Sequence, residues 1–175
     1  LISKISKSIT VRVEGSTQGS GTIISSEYDK NNNLYLTKIL TAGHIVGANS
    51  SQEEFQVVLA DKSKYKAFRT ERLFNNKNFA EIEFLSKVKI KSATLDNSNE
   101  ISTGDKVYIG GYPLQTTAVT ARIFRFLKGD IVAKSDECIQ GGYQLLYDNK
   151  TMPGMSGSPI LNKKANVIGI HGRGE

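Results

Sequence analysis

One cysteine, Cys138, stands in the whole sequence. It has no partner within the chain, so an internal disulfide framework is excluded, and one thiol cannot by itself build a metal site. With no histidine near it in sequence, Cys138 reads as a structural thiol rather than a nucleophile. Long apolar runs are also lacking: no stretch approaches the length of a membrane span, and no membrane partner is expected. No signal peptide is visible at the start, and because Leu1 is not an initiator methionine, a missing N-terminal stretch is expected. Helix signals, low-complexity tracts and clear internal repeats are scarce or absent. Histidine occurs only as His44 and His171, so chemistry that needs an imidazole must use one of these two.

With 38% hydrophobic and 23% charged residues, the 175-residue chain can bury a real core as one domain or as two small lobes sharing an interface. The net charge of +6 and pI near 9.3 raise the question of nucleic acid. The lysines are scattered, however. Lys62, Lys64 and Lys66, then Lys87, Lys89 and Lys91, lie on one side of alternating strands as solvated faces, and no nucleic-acid-binding motif accompanies them.

Two-residue alternation in "ITVRVEG" (9–15), "FQVVLA" (55–60), "YKAFRTER" (65–72) and "AEIEF" (80–84) predicts half-buried strands. Turn clusters at 27–33, 60–64 and 74–78 separate them. The polar stretch 86–104 predicts a connection between two halves. In the second half, strands are expected at 105–113, in "ARIFRF" and "DIVAKS" on either side of a turn at Lys128, Gly129 and Asp130, and at 143–147, 158–161 and 166–171. This spacing is that of antiparallel sandwiches or barrels, an all-β fold.

Two stretches carry chemistry. In "GMSGSP" (154–159) the glycines let the chain turn sharply and present the Ser156 hydroxyl and a pair of backbone N–H groups to one point. A serine hydroxyl is a poor nucleophile without a base. His44 in "LTAGHIVG" (40–47) ends an apolar strand among small residues, and His171 in "VIGIHGRG" (167–174) ends another. Each alone is compatible with an ordinary half-buried histidine satisfied by a carbonyl. "TAGH" in the first half and "PGMSGSP" in the second, both at strand boundaries, would place a base and a nucleophile across one cleft.

Taken with "GSGTII" (19–24), "NFAEIEF" (78–84), "GDKVYIGGYP" (104–113) and "YDNKTMPGMSGSPILN" (147–162), these segments resemble, in order and spacing, the trypsin-like serine peptidases. The likeness is to the bacterial branch that includes the glutamyl endopeptidases. The resemblance implies a double antiparallel β-barrel over residues 1–175, with barrel 1 at about 5–90 and barrel 2 at about 101–175, the second lacking its last strand. It implies His44 as general base, Ser156 as nucleophile, and the N–H groups of Gly154 and Ser156 as oxyanion hole. It implies a polypeptide substrate, no cofactor, and flanking domains in a longer chain. The early "GSTQGSGT" lacks the lysine of a phosphate-binding loop and resembles the family's first hairpin. The absence of disulfides is compatible with a cytoplasmic setting, although secreted bacterial peptidases of this type also lack them.

One position departs from the pattern. Where the family carries its catalytic aspartate, this chain has Asn78, which offers no charge to an imidazolium and whose amide favours the wrong tautomer. An inactivating change, a natural weakening, and a substitute acid such as Asp61 or Glu81 are the alternatives. The last is disfavoured, because Asp61 falls in a predicted turn and Glu81 points outward if Ala80 and Ile82 face in. A peptidase and a peptide-binding pseudopeptidase therefore stand side by side.

For specificity, the position six before the serine, an aspartate in trypsin, is Lys150, so a buried carboxylate for basic substrates is missing. Glutamyl endopeptidases carry a threonine five before the serine and a histidine fifteen after it, and Thr151 and His171 occupy those places. With Lys150 or Arg173 as a nearby cation, these donors suit a substrate carboxylate, and cleavage after Glu or Asp is expected. Thr151 and His171 equally suit purely structural roles. Met155 stands where zymogen-activated relatives have an aspartate, so that activation switch is not expected.

Overall fold

The computed structural model describes residues 1–46, 53–74, 78–135 and 145–172. Cys138 and Arg173 lie outside the described residues.

Alternation builds the first half. In strand β1 (Thr10–Glu14) Val11 and Val13 face inward, while Arg12 and Glu14 face out and pair at 2.9 Å. The same rule places Phe55 and Val57 of β4 (Glu54–Val58), Ala67 of β5 (Lys64–Arg69), and Ala80, Ile82 and Phe84 of β6 (Phe79–Ser86) on the inner face. With β2 (Gln18–Asp29) and β3 (Leu34–Ala42) these strands close into an antiparallel barrel of order β1-β2-β3-β6-β5-β4, sealed by β1 against β4. Closure leaves no unpaired sheet edge in this half. The turn expected at 27–33 is shorter. Tyr28 and Asp29 still pair with Tyr35 and Leu34, and the chain reverses only over the residues that follow, where Asp29 accepts from the Asn31 N–H and the Asn32 amide.

The second half is a curled sheet of order β11-β10-β7-β8-β9, formed by β7 (Lys106–Gly111), β8 (Arg125–Lys134), β9 (Leu145–Tyr147), β10 (Pro159–Leu161) and β11 (Val167–Ile170). Its core gathers Val107, Ile109, Ile131, Met155, Ile160 and Ile168. The two predicted strands around Lys128, Gly129 and Asp130 are instead the single strand β8. Those residues pair with Tyr108, Val107 and Lys106, and pairing passes to β9 from Ile131 onward, so ladder hydrogen bonds replace the turn. "ARIFRF" also divides: residues 121–124 precede β8, with Arg122 buried and Ile123 exposed, the reverse of an apolar-in pattern.

A helix not among the sequence expectations opens the chain. Helix α1 (Ile2–Ile9) turns Ile2, Ile5 and Ile9 to one face, which packs against Leu161, Val167 and Tyr108 of the second sheet. Thr10, where the backbone becomes extended, donates its hydroxyl to the Ser6 carbonyl at 2.6 Å. The helix thereby fastens the start of the barrel strand β1 to the other half. The connection 86–104 holds a short 3-10 turn and one bridge, Leu95 with Val167. The six lysines expected on solvated faces, Lys62, Lys64, Lys66, Lys87, Lys89 and Lys91, are all exposed. Among the described residues no helix is long and apolar enough to cross a membrane, and no cluster of His, Cys, Asp and Glu could hold a metal.

Candidate active site

The loop that carries Ser156 is set by two glycines in left-handed backbone conformations, Gly154 with φ 98° and Gly157 with φ 95°. A Cβ on Gly154 would lie 2.5 Å from the Leu114 nitrogen, and one on Gly157 would collide with the Ser20 carbonyl oxygen. No other residue fits either place. Met155 between them is fully buried in the second core and anchors the loop from beneath.

Hydrogen bonds tie the loop to both halves. The Ser20 N–H of β2 donates to the Ser156 carbonyl at 2.8 Å, the Ser20 hydroxyl donates to the Gly154 carbonyl at 2.8 Å, and the Gly157 N–H donates to the His171 carbonyl at 2.8 Å. Two donors are left over: among the described residues neither the Gly154 N–H nor the Ser156 N–H has an acceptor. The half-buried Ser156 hydroxyl donates to the Gly172 carbonyl at 2.9 Å.

His44 lies in the one-turn helix α2 (Gly43–Val46) directly after β3 and is exposed. The Gly43 N–H donates to the Asn78 carbonyl at 2.7 Å, so His44 and Asn78 sit on adjoining segments. The next residues, Ala42 and Phe79, pair in the sheet. From β3, the Thr41 hydroxyl donates at 2.7 Å to the Ser20 carbonyl, the residue whose N–H holds Ser156. The segments of His44, Asn78 and Ser156 therefore meet at one seam.

Asp61 and Glu81 are committed elsewhere. Exposed Asp61 accepts from the Ser63 N–H and hydroxyl in the β4–β5 turn, which holds its carboxyl below the usual range. Glu81 is on the face opposite Ala80 and Ile82, as expected from alternation, but it is only 2% exposed rather than solvated. Arg72 donates to it at 2.9 Å and Thr70 at 3.0 Å, and Lys38 lies 3.9 Å away.

His171 follows β11 and is 2% exposed. Its Nδ1 is 2.5 Å from the Tyr147 hydroxyl. Burial, and secondarily the charge of His44, pull its pKa down to about 4, so the ring is neutral at neutral pH. Thr151 is half-buried and Lys150 exposed, on a segment anchored by Asn149, whose amide donates to the Leu127 and Val107 carbonyls at 2.9 and 3.2 Å. No hydrogen bond joins the Thr151 hydroxyl to His171 among the described residues. Sequence reasoning gave no role to Ser20, Tyr147 or Arg122: the first two lie inside the family-like segments 19–24 and 147–162 without a side-chain signal of their own, and Arg122 stands outside those segments.

The family profile described as "Trypsin-like peptidase domain" matches residues 19–170. Over 82 residues the chain is 35% identical to the glutamyl endopeptidase of Staphylococcus aureus strain MW2, a stretch that is 47% of this chain and 22% of that protein. For the glutamyl endopeptidase of strain MRSA252 the same identity covers 20% of the relative. The matched stretch thus spans about a fifth of these relatives' length. The fold is similar to the crystal structure of Deg5, with a TM-score of 0.74 over 97% of this chain and 81% of that one at 16% identity, which is a likeness of fold.

Proposed function

The chain belongs to the trypsin-like peptidase domain family, and from that premise we propose that residues 1–175 act as one serine endopeptidase domain, with barrels at about 5–90 and 101–175. Ser156 is its nucleophile and His44 its base. The observation that carries this is a pair of N–H groups, of Gly154 and Ser156, with no acceptor among the described residues, on the loop that holds a half-exposed serine hydroxyl. Buried loop amides otherwise find partners, so donors left open beside a hydroxyl suit a developing oxyanion.

In this mechanism His44 takes the Ser156 proton as Oγ attacks a peptide carbonyl carbon, and the Gly154 and Ser156 amides hold the resulting oxyanion. The C–N bond then breaks, the amine leaves with the proton from His44, and water hydrolyses the acyl ester by the same route. Asn78 occupies the orienting position without a negative charge.

The preferred substrate has an acidic residue before the scissile bond. The Tyr147 hydroxyl lies against Nδ1 of the neutral His171 ring; we assign the hydroxyl as the donor, which puts the ring proton on Nε2 and makes it a donor suited to a carboxylate. Thr151, Lys150 and Arg173 are the further candidates for this pocket. The 35% identity with glutamyl endopeptidases over part of the chain supports the same choice.

A second reading, a peptide-binding domain without turnover, is favoured by the Ser156 hydroxyl donating to the Gly172 carbonyl and by Asn78. Fluorophosphonate labelling of the chain, Asn78→Asp and Ser156→Ala separates the two. The peptidase reading expects Asn78→Asp to label at Ser156 and to cleave peptides. No labelling and no cleavage in that variant, with peptide binding retained, would establish the binder.

A further inference from the structure

Arg122 is buried at the seam between the two halves, and its hydrogen-bond acceptors are all backbone carbonyls. Nη2 donates to Tyr112 at 2.6 Å, to Gly19 at 2.9 Å and to Gly154 at 3.4 Å, and Nε donates to Pro113 at 3.3 Å. Nη1 is buried with no acceptor among the described residues. An arginine is seldom buried without a carboxylate, and an unused buried donor costs stability. No apolar packing requirement explains a guanidinium here.

Its partners explain it. Gly19 belongs to β2 of the barrel, Tyr112 and Pro113 follow β7 of the second sheet, and Gly154 belongs to the serine loop. Between them runs a second connection, the Leu114 N–H donating to the Pro153 carbonyl at 2.8 Å. The Pro153–Gly154 peptide is planar and trans, so its N–H points opposite to its carbonyl. Leu114 therefore sets the direction of the Gly154 N–H, and Arg122 fixes the two carbonyls, of Tyr112 and Pro113, just before Leu114. The Ser20 hydroxyl completes the lattice by accepting from the Tyr112 N–H at 3.0 Å and donating to the Gly154 carbonyl.

We infer that Arg122 is a positioning residue for the oxyanion hole: from the seam it locks residues 112–114 and the Gly154 carbonyl, and so holds the Gly154 N–H toward the reacting carbonyl. The inference rests on the proposed role of Ser156 and names what keeps that site in a productive shape. Without the guanidinium fork, the Pro153–Gly154 peptide is free to rotate and turn a carbonyl where an N–H is needed. Burial draws the Arg122 pKa down only to about 10, so the group stays cationic at neutral pH, and its charge adds to the positive potential around Gly154.

Two readouts test it, one independent of catalysis. In Arg122→Met and Arg122→Lys, amide hydrogen exchange of Leu114, which depends on its bond to Pro153, should accelerate at least tenfold. That of Gly157, bonded to His171, should not change. Arg122→Lys keeps the charge and stem and serves if Arg122→Met does not fold. In the Asn78→Asp background, fluorophosphonate labelling of Ser156 should slow at least tenfold in both variants, with peptide KM little changed. Unchanged Leu114 exchange, equal acceleration at Leu114 and Gly157, or an unchanged labelling rate overturns the inference. If the Asn78→Asp parent itself does not label, the nucleophile assignment fails, and Leu114 exchange alone decides whether Arg122 positions this loop.

Discussion

The Tyr147 hydroxyl and His171 Nδ1 lie 2.5 Å apart, joining strand β9 to the end of β11 across the interior of the second sheet. The hydroxyl is the one hydrogen-bond partner of this buried ring among the described residues, and burial and then the charge of His44 disfavour a proton on it. The ring is therefore neutral in the folded protein but titrates near its ordinary value when unfolded.

Linkage gives the sign of the first prediction. Because the folded pKa is lowered to about 4 from 6.5, the unfolded chain binds more protons between those values. The contribution is full above about pH 6.5 and is lost as pH falls toward 4. Between pH 7.5 and 4.5 the loss amounts to roughly 2–3 kcal/mol from this group. Urea unfolding at the two pH values should show a smaller loss in His171→Gln by about that amount. Equal losses in the two proteins would remove His171 as the cause.

Tyr147→Phe removes the hydroxyl and leaves Nδ1 buried without this partner, at a cost of about 1–3 kcal/mol. In the proposed specificity pocket it also releases the tautomer, so the Nε2 donor is no longer enforced. With Asn78→Asp as parent, KM for peptides with Glu before the cut should rise several-fold while peptides with apolar residues there stay unchanged. A uniform change across both substrate sets would make Tyr147 a packing residue only.

Much of this was legible in the sequence, for physical reasons that vary along the chain. Val11, Val13, Phe55, Val57, Ala80 and Ile82 alternate because their strands turn one face to the barrel core, and period-two patterning reports that. Gly154 and Gly157 were legible because their left-handed angles demand glycine. Helix α1 was hidden by its length: three isoleucines over eight residues make too short a pattern to stand out. The turn at Lys128, Gly129 and Asp130 was misread because glycine and charge usually mark a reversal, whereas here two neighbouring strands pair with β8 in succession. Arg122 and Tyr147 gave no signal of their roles, since these depend on how separate segments of the chain are brought together in the fold.

Glu81 offers a separate test of how the Asn78 segment is held. Its carboxylate is 2% exposed and takes hydrogen bonds from Arg72 and Thr70, and the Thr70 N–H donates to the Glu81 carbonyl at 2.9 Å. These bonds fix the chain just before the segment that ends at Asn78. Arg72→Met leaves the buried carboxylate without its hydrogen-bonded cation, with Lys38 still 3.9 Å away, and should cost about 1–3 kcal/mol in chemical denaturation. The neutral pair made by adding Glu81→Gln should recover part of that loss. If the double variant is no more stable than Arg72→Met, the carboxylate charge is not what Arg72 answers.

The most direct prediction concerns Asn78 itself. In the proposed reaction His44 becomes an imidazolium on taking the Ser156 proton, and a neutral amide in the orienting position gives it no charge stabilisation. An amide NH₂ turned toward the ring also requires an acceptor there, which places the ring proton on the nitrogen that must accept from serine. In a serine peptidase triad the aspartate-to-asparagine change lowers turnover about 10⁴-fold, so Asn78→Asp should raise kcat by about 10²–10⁴ with KM little altered. The resting hydroxyl should respond as well. Ser156 now donates to the Gly172 carbonyl, and in a crystal structure of Asn78→Asp it should instead lie within about 3.2 Å of a His44 nitrogen. Turnover unchanged by the substitution, with Ser156 still bonded to Gly172, would mean that this seam binds peptides without cutting them.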